Sequence, residues 1–473
     1  MKIDNIDIGK TVDKAKRLLK KEKNVSPALR AVVEILLIVV QVMLGRLKLN
    51  SKNSSKPPSS DPNRKKQNRQ KKKNNRQQGG QPGHVGTQLK PVDDPDNVED
   101  IKIDKRTLPR GNYTDVGFEV RQVIDFKITA HVTEYRAQIL VNETGKRYVA
   151  AFPPFVTRPV QYGAKTKANA VYLSQFQLMP YQRIVDYFSE QIGLNLSAGS
   201  LFNFNQEAYD ALASFESVAK KQLTQSACLH ADETSINVNG KRLWLHTVCN
   251  EEWTYFAPHE KRGTIAMNTM GILPHFKGVL CHDHWKPYYP YEQCTHALCN
   301  AHHLRELEWS HIEDKQSWAG KMKHFLIQLN KKVEASEGKL TPRQQVYYKK
   351  RYGDILSQAE KECPALKRRA GQRGRLKQSK SRNLLERLLN YQEDVLRFTQ
   401  SPIIPFTNNQ GENDRRMTKV QQKISGCFRS FEGALIFCRI RSYLITCRKH
   451  GVNPTEALEL LFKGKLPVFF DSS

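Results

Sequence analysis

The chain has 473 residues, with 76 Lys and Arg against 47 Asp and Glu, a formal net charge of +29. That length allows several domains and a sizeable core, while the charge says nothing of fold but predicts association with polyanions, nucleic acid first. The nine cysteines are odd in number and all fall at or after Cys228 at irregular spacing, which speaks against a disulfide framework. With no signal-peptide pattern at the N-terminus and no lipidation motif to favour a membrane surface, a cytoplasmic location is expected.

Within residues 1–50, the apolar run AVVEILLIVVQVML is shorter than the ~20 residues a membrane span needs, and Glu34 and Gln41 interrupt it. Val33, Leu36, Val40, Met43 and Leu47 recur at alternating spacings of three and four, a coiled-coil seam that fits either self-association or packing on the same protein. Residues 51–98 are rich in Ser, Pro, Asn and Gly. They carry eight Lys and Arg from Arg64 to Arg76, Lys65 and Lys72 among them, and hold no acid between Asp61 and Asp93. Such a segment reads as a disordered arm or linker that lies on phosphates without sequence preference.

Residues 99–160 alternate as strands and predict a small antiparallel β-unit. Residues 161–222 read as helices: YQRIVDYFSEQI is amphipathic, Gly193 marks a break, and Ser197 is placed to cap the next helix. Helix, Gly-containing turn and helix together are helix-turn-helix-like.

Residues 223–297 hold a cluster of short strands with Asn239-Gly240 as a hairpin signal. Asp232 lies within the first strand, and Asp283 follows the apolar run Phe276 to Cys281, where a strand should end. Residues 298–402 are helical and charged; within this block, Lys367 to Arg382 carries eight basic residues and no acid, and reads as a loop or helix end near a phosphate backbone. Residues 403–473 bring Glu412 at the start of a helix, then two more helices.

Three carboxylates from separate elements suit a pair of hard divalent cations, Mg²⁺ or Mn²⁺. Two such ions about 4 Å apart clamp the attacking and leaving oxygens of an in-line phosphoryl transfer. Glu233 and Asp414 are alternatives one or two residues away. Glu412, Arg415, Arg416 and Lys419 share a helical face, either as a solvated face of ion pairs or as a metal-bound carboxylate beside cations that hold DNA backbone. His284 and Trp285 flank Asp283 and are candidates for contact with a phosphate or an unpaired base, with a structural role for Trp285 equally open. Cys294, His296, Cys299 and His302 are spaced too tightly for a usual zinc site and do not share one helix face, so no zinc is expected there. Cys299 and His302 are expected instead to pack or hydrogen-bond. No P-loop is present.

The strings NSSKPPSSD, GGQPGH, HADET, VNGKRLWLH, HEKRG, GILPHFKGVLCHDHWKPY, HALCNAHHLREL and NNQGENDRRMTKVQQKISGCFRS occur in order from about residue 48 onward. In these the chain resembles the insertion sequence 66 family of DDE transposases, the large transposase subunit. The resemblance implies a multidomain α/β protein with an RNase H-like mixed-sheet core interrupted by an all-helical insertion. It also implies that Asp232, Asp283 and Glu412 are the catalytic acids holding two Mg²⁺ or Mn²⁺ ions, for hydrolysis followed by 3′-hydroxyl strand transfer. Implied partners are double-stranded DNA (element ends and target), further copies of the chain, and accessory proteins of the same element. Relatives usually carry a zinc-binding β-domain with two Cys-x-x-Cys knuckles; the corresponding turns here are Leu108–Gly111 and Val141–Gly145, without cysteine. A metal-free remnant is therefore expected over 99–160. The rival readings are a catalytically inactive DNA-binding protein and a metal-dependent nuclease without strand transfer.

Overall fold

The structure is a computed structural model and describes residues 2–3, 6–22, 25–47, 89–366 and 376–470. The basic arm with Lys65 and Lys72, and residues 367–375 of the second basic run, lie outside the described residues.

At the N-terminus a two-residue pairing of β1 (Lys2–Ile3) with β2 (Ile6–Asp7) precedes α1 (Ile8–Lys21) and α2 (Pro27–Leu47). The apolar run forms one helix, as its pattern predicts, and Lys16 Nζ reaches Gln41 Oε1 at 3.0 Å across the pair. Leu36 and Met43 of the predicted seam are exposed, as are Ile35 and Ile38. No described helix is long and apolar enough to cross a membrane.

The β-unit expected over 99–160 shrinks to one hairpin, β3 (Ile139–Val141) with β4 (Arg147–Val149). Its turn is closed by Asn142, whose Oδ1 accepts the N–H groups of Thr144 and Lys146. Upstream, Phe118, Val120, Ile124, Phe126 and Val132 keep the alternation of a strand but are exposed and unpaired. The reason is physical: a two-sided pattern marks a face, and a lone two-stranded ribbon offers no second layer to bury it.

Helices α3 (Ala164–Val171), α4 (Tyr181–Tyr187), α5 (Ala198–Ala211) and α6 (Ala213–Thr224) follow. Gly193 adopts φ 75° at the break and Ser197 Oγ accepts the Ser200 N–H at 3.0 Å, both as the sequence predicts. Leu201, Phe204 and Ala208 of α5 and Phe215, Ala219 and Leu223 of α6 enter the same core as Leu229 and Val248 of the main sheet.

That sheet has five strands in the order β7–β6–β5–β8–β9: β5 (Cys228–Val238), β6 (Lys241–Cys249), β7 (Thr254–His259), β8 (Val279–His282) and β9 (Thr295–Leu298). β5, β6 and β7 are antiparallel, whereas β8 and β9 run parallel to β5. Asn239 and Gly240 both take positive φ (47° and 79°), the two-residue turn their pairing predicts. The edge strand β9 was not foreseen, since its four residues sit where the helical pattern begins. Helix α7 (Thr264–Met270) joins β7 to β8.

Between β9 and the last helices come α8 (Asn300–Ile312), α9 (Ser317–Glu334), α10 (Pro342–Glu362), α11 (Lys380–Asn390) and α12 (Gln392–Leu396), packed around Trp318, Leu326, Tyr352 and Leu385. Arg382, read as part of a phosphate-facing run, is instead buried in α11 and paired with Glu360 and Glu386. Helices α13 (Asn409–Ser425), α14 (Phe431–Lys449) and α15 (Pro454–Phe462) close the chain. α14 runs along the outer edge of β7, where Thr446 and Ser442 hydroxyls accept the N–H groups of Thr254 and Phe256.

Phe215 is fully buried with its ring against Trp253, Tyr443 and Phe470, so it ties α6 to the sheet side and to the C-terminal helices. Phe215→Ala should destabilise the chain by about 3–5 kcal/mol. Exposed Phe202→Ala should stay within about 0.5 kcal/mol. Chemical denaturation of the two variants beside the parent checks both.

Candidate active site

β5 and β8 pair in parallel with Cys228 opposite Val279, Leu229 opposite Leu280 and His230 opposite Cys281. Carried on at the same offset, that register sets Asp232 beside Asp283, the residue after β8 ends. Asp232 is buried, and its Oδ1 accepts the Glu233 N–H at 2.8 Å. Asp283 Oδ1 accepts the Trp285 N–H at 2.9 Å, which turns the chain at the strand end. Glu412 enters from the first turn of α13. Asp283 and Glu412 both lie within electrostatic reach of Asp232. Burial pushes the Asp232 carboxyl up to about 7, Arg415 acts against it, and the charges of Glu233, Asp283 and Glu412 add to the rise.

What brings Glu412 there is the open edge of β5. β8 pairs only with Cys228–His230, and beyond it the described residues give that edge of β5 just an isolated parallel bridge, Val238 with Phe428. Its carbonyls are taken one after another by the α13 region. Asn408 Nδ2 donates to Ala231 O at 2.8 Å, Arg415 Nη1 to Glu233 O at 2.9 Å, Lys419 Nζ to Ser235 O, and the Phe428 N–H to Asn237 O at 2.9 Å. Asn408 also meets His230 Nδ1 through its Oδ1 at 2.7 Å and donates its own N–H to Cys299 Sγ at 3.1 Å.

Arg415 and Lys419 therefore face the protein and not open solvent, unlike the DNA-facing row expected of them. Arg415 Nη2 also lies 2.5 Å from Asp232 Oδ2, an ionic contact without hydrogen-bond alignment. Arg416 is the exposed member of the row. Asn408 was missed; its only sequence signal was the turn-like TNNQGEN stretch.

The two neighbouring acids are engaged elsewhere. Glu233 Oε1 accepts from Arg262 and its Oε2 takes the Tyr288 hydroxyl at 2.7 Å, with Arg262 held between the rings of Trp244 and Trp285. Asp414 Oδ2 takes Lys449 Nζ and the Thr254 hydroxyl, each at 2.7 Å. Trp285 thus packs inward on Arg262. His284 also faces the protein: its Nδ1 lies 2.8 Å from the Tyr289 hydroxyl, its ring packs on Tyr391, and burial lowers it to about 4.

Of the four-residue Cys/His set, the structure splits two pairs. His296 Nδ1 lies 3.0 Å from His282 Nε2 and Cys294 bonds Tyr291 O. Cys299 and His302 instead meet Glu412, with ligand atoms of the three within 4.8 Å of one another. Sequence spacing showed the i, i+3 pair but not its partner from more than 100 residues away.

The fold and site define a mixed α/β protein that presents carboxylates from two adjacent parallel strands and one docked helix. Residues 159–435 match the transposase IS66 family, and the chain belongs to it. Residues 12–90 match a family of unknown function, and no curated protein matches the chain.

Because burial holds Asp232 near 7 while an unfolded aspartate titrates near ~3.9, the folded chain binds this proton more tightly. Stability from this group is greatest below about pH 4 and is lost as the pH rises toward 7. In chelator, the thermal midpoint of the parent should fall relative to Asp232→Asn across that window and level off above it. Parallel curves for the two proteins would contradict the buried-carboxylate geometry.

Proposed function

We propose that the chain cuts and joins DNA at the ends of a mobile element, hydrolysing a phosphodiester and then directing the freed 3′ hydroxyl at target DNA, with Asp232, Asp283 and Glu412 as the catalytic acids. The observation that carries this reading is the side-by-side register of Asp232 and Asp283 with Glu412 brought in by α13. The sheet order, with two parallel strands on one side of β5 and two antiparallel strands on the other, supports an RNase H-like core, and α8–α12 then form its helical insertion.

The donor set fits hard divalent cations. It is three carboxylates, one of them buried against a guanidinium that stands where a cation is wanted. Two Mg²⁺ or Mn²⁺ ions, when bound, would activate the attacking oxygen and neutralise charge on the phosphate. The remaining work belongs to the chain. Asn408 and Lys419 keep α13 in register on β5, so Glu412 is presented from a fixed helix end. Arg415 balances the acids, and with cations bound its Nη2 would be available to a phosphate oxygen while Nη1 stays on Glu233 O. Exposed Arg416 lies one helical turn beyond Glu412, and the basic arm with Lys65 and Lys72 supplies salt-sensitive attraction to double-stranded DNA. In this reading the helix-turn-helix-like α4–α5 contributes to recognition of element ends, and α2 supports self-association beside any accessory proteins.

The test mixes full-length protein, a duplex bearing the element's own end, a target plasmid and Mg²⁺, beside Asp283→Asn and Glu412→Gln. The parent should yield joined product, and each variant should lose roughly 100-fold or more of it. DNA retained in a gel shift without nicking would favour the binding-only reading. Nicking without joining would favour the nuclease.

A further inference from the structure

We propose that Cys299, His302 and Glu412 form a binding site for zinc, distinct from the hard-cation site and sharing Glu412 with it. Cys299 precedes the first residue of α8 and His302 lies one turn on, so sulfur and imidazole project from the same side of that helix end. Glu412 comes to meet them from α13. Ligand atoms around a tetrahedral zinc sit roughly 3.5 Å apart, so closing from separations of up to 4.8 Å asks under about 1 Å of each side chain. One sulfur, one imidazole and one carboxylate is a borderline-soft donor set. It suits zinc, leaves a fourth position for water, and is poorly matched to Mg²⁺.

Three further features point to a ligand. His302 Nδ1 is buried with no hydrogen-bond partner among the described residues. Glu412 is approached by His302 Nε2 at 3.9 Å and Arg305 Nη2 at 3.7 Å, both beyond hydrogen-bonding distance, so its carboxylate stays open. The Asn408 N–H already donates to Cys299 Sγ, which holds the sulfur in position. Arg305 opposes the ion by its charge, and its removal should therefore tighten binding.

The binding claim stands without the proposed strand chemistry; only one consequence, that zinc withdraws Glu412 from that chemistry, rests on it. The experiment is zinc uptake by full-length protein without DNA, followed by competition with a chromophoric chelator, with Co²⁺ as the spectroscopic probe. The parent should take one tight zinc and show a thiolate-to-cobalt charge-transfer band. Cys299→Ser, which keeps an acceptor for the Asn408 amide, should lose the band. It and His302→Gln should weaken zinc by more than the roughly 10–100-fold that loss of a supporting group costs. Arg305→Gln should bind zinc more tightly than the parent. No tight zinc in the parent, or an undiminished band in a folded Cys299→Ser, would overturn the site.

Discussion

The half-open edge of β5 is the constraint on which the site depends. β8 covers only the first residues of that strand, and buried backbone carbonyls left without donors cost about 1–3 kcal/mol each. Four donors from Asn408, Arg415, Lys419 and Phe428 answer four alternate carbonyls, from Ala231 to Asn237. A helix held at so many points has one register, and that register brings the charge of Glu412 within electrostatic reach of Asp232. The same device recurs at β7, where Thr446 and Ser442 of α14 take the edge N–H groups. Both helices thus also serve as edge covers that prevent further strand pairing.

The second consequence is electrostatic. Burying a carboxylate among like charges is unfavourable unless a cation joins it. In this structure the cation is Arg415, and it is the same residue that secures the helix to Glu233 O. One guanidinium therefore couples helix docking to the charge state of the acids. On the far side, Glu412 faces Cys299, just before α8, and His302 within it, so the helical block and the sheet meet at this carboxylate.

Much of the core was legible in the sequence because local patterns dictated it. The alternation around Ile236 and Val238, the Asn239-Gly240 turn, the end of β8 before Asp283, the left-handed Gly193 and the Ser197 cap all depend on neighbours within a few residues. What escaped depends on distant partners. Arg415 and Lys419 look like any exposed basic row until the open edge of β5 is known to lie opposite. Alternation over 118–141 marks a strand face, but among the described residues no layer buries it and only β3 and β4 pair there. β9 is too short to register against the helix that follows it. Cys299 and His302 were visible as an i, i+3 pair, whereas Glu412 reaches them only through the docking of α13. The three acids were nameable because each stands at a strand interior, a strand end or a helix start, and the family motifs surround them.

The central claim is that Asp232, Asp283 and Glu412 together hold one divalent-cation centre. Iron-directed cleavage tests it most directly: Fe²⁺ is bound to full-length protein, radical generation is started with ascorbate and peroxide, and the cuts in the chain are mapped. The account predicts three groups of cuts, near residues 232, 283 and 412, all suppressed together by excess Mg²⁺. Cuts confined to one of the three, or placed away from both these acids and residues 299 and 302 and insensitive to Mg²⁺, would contradict it.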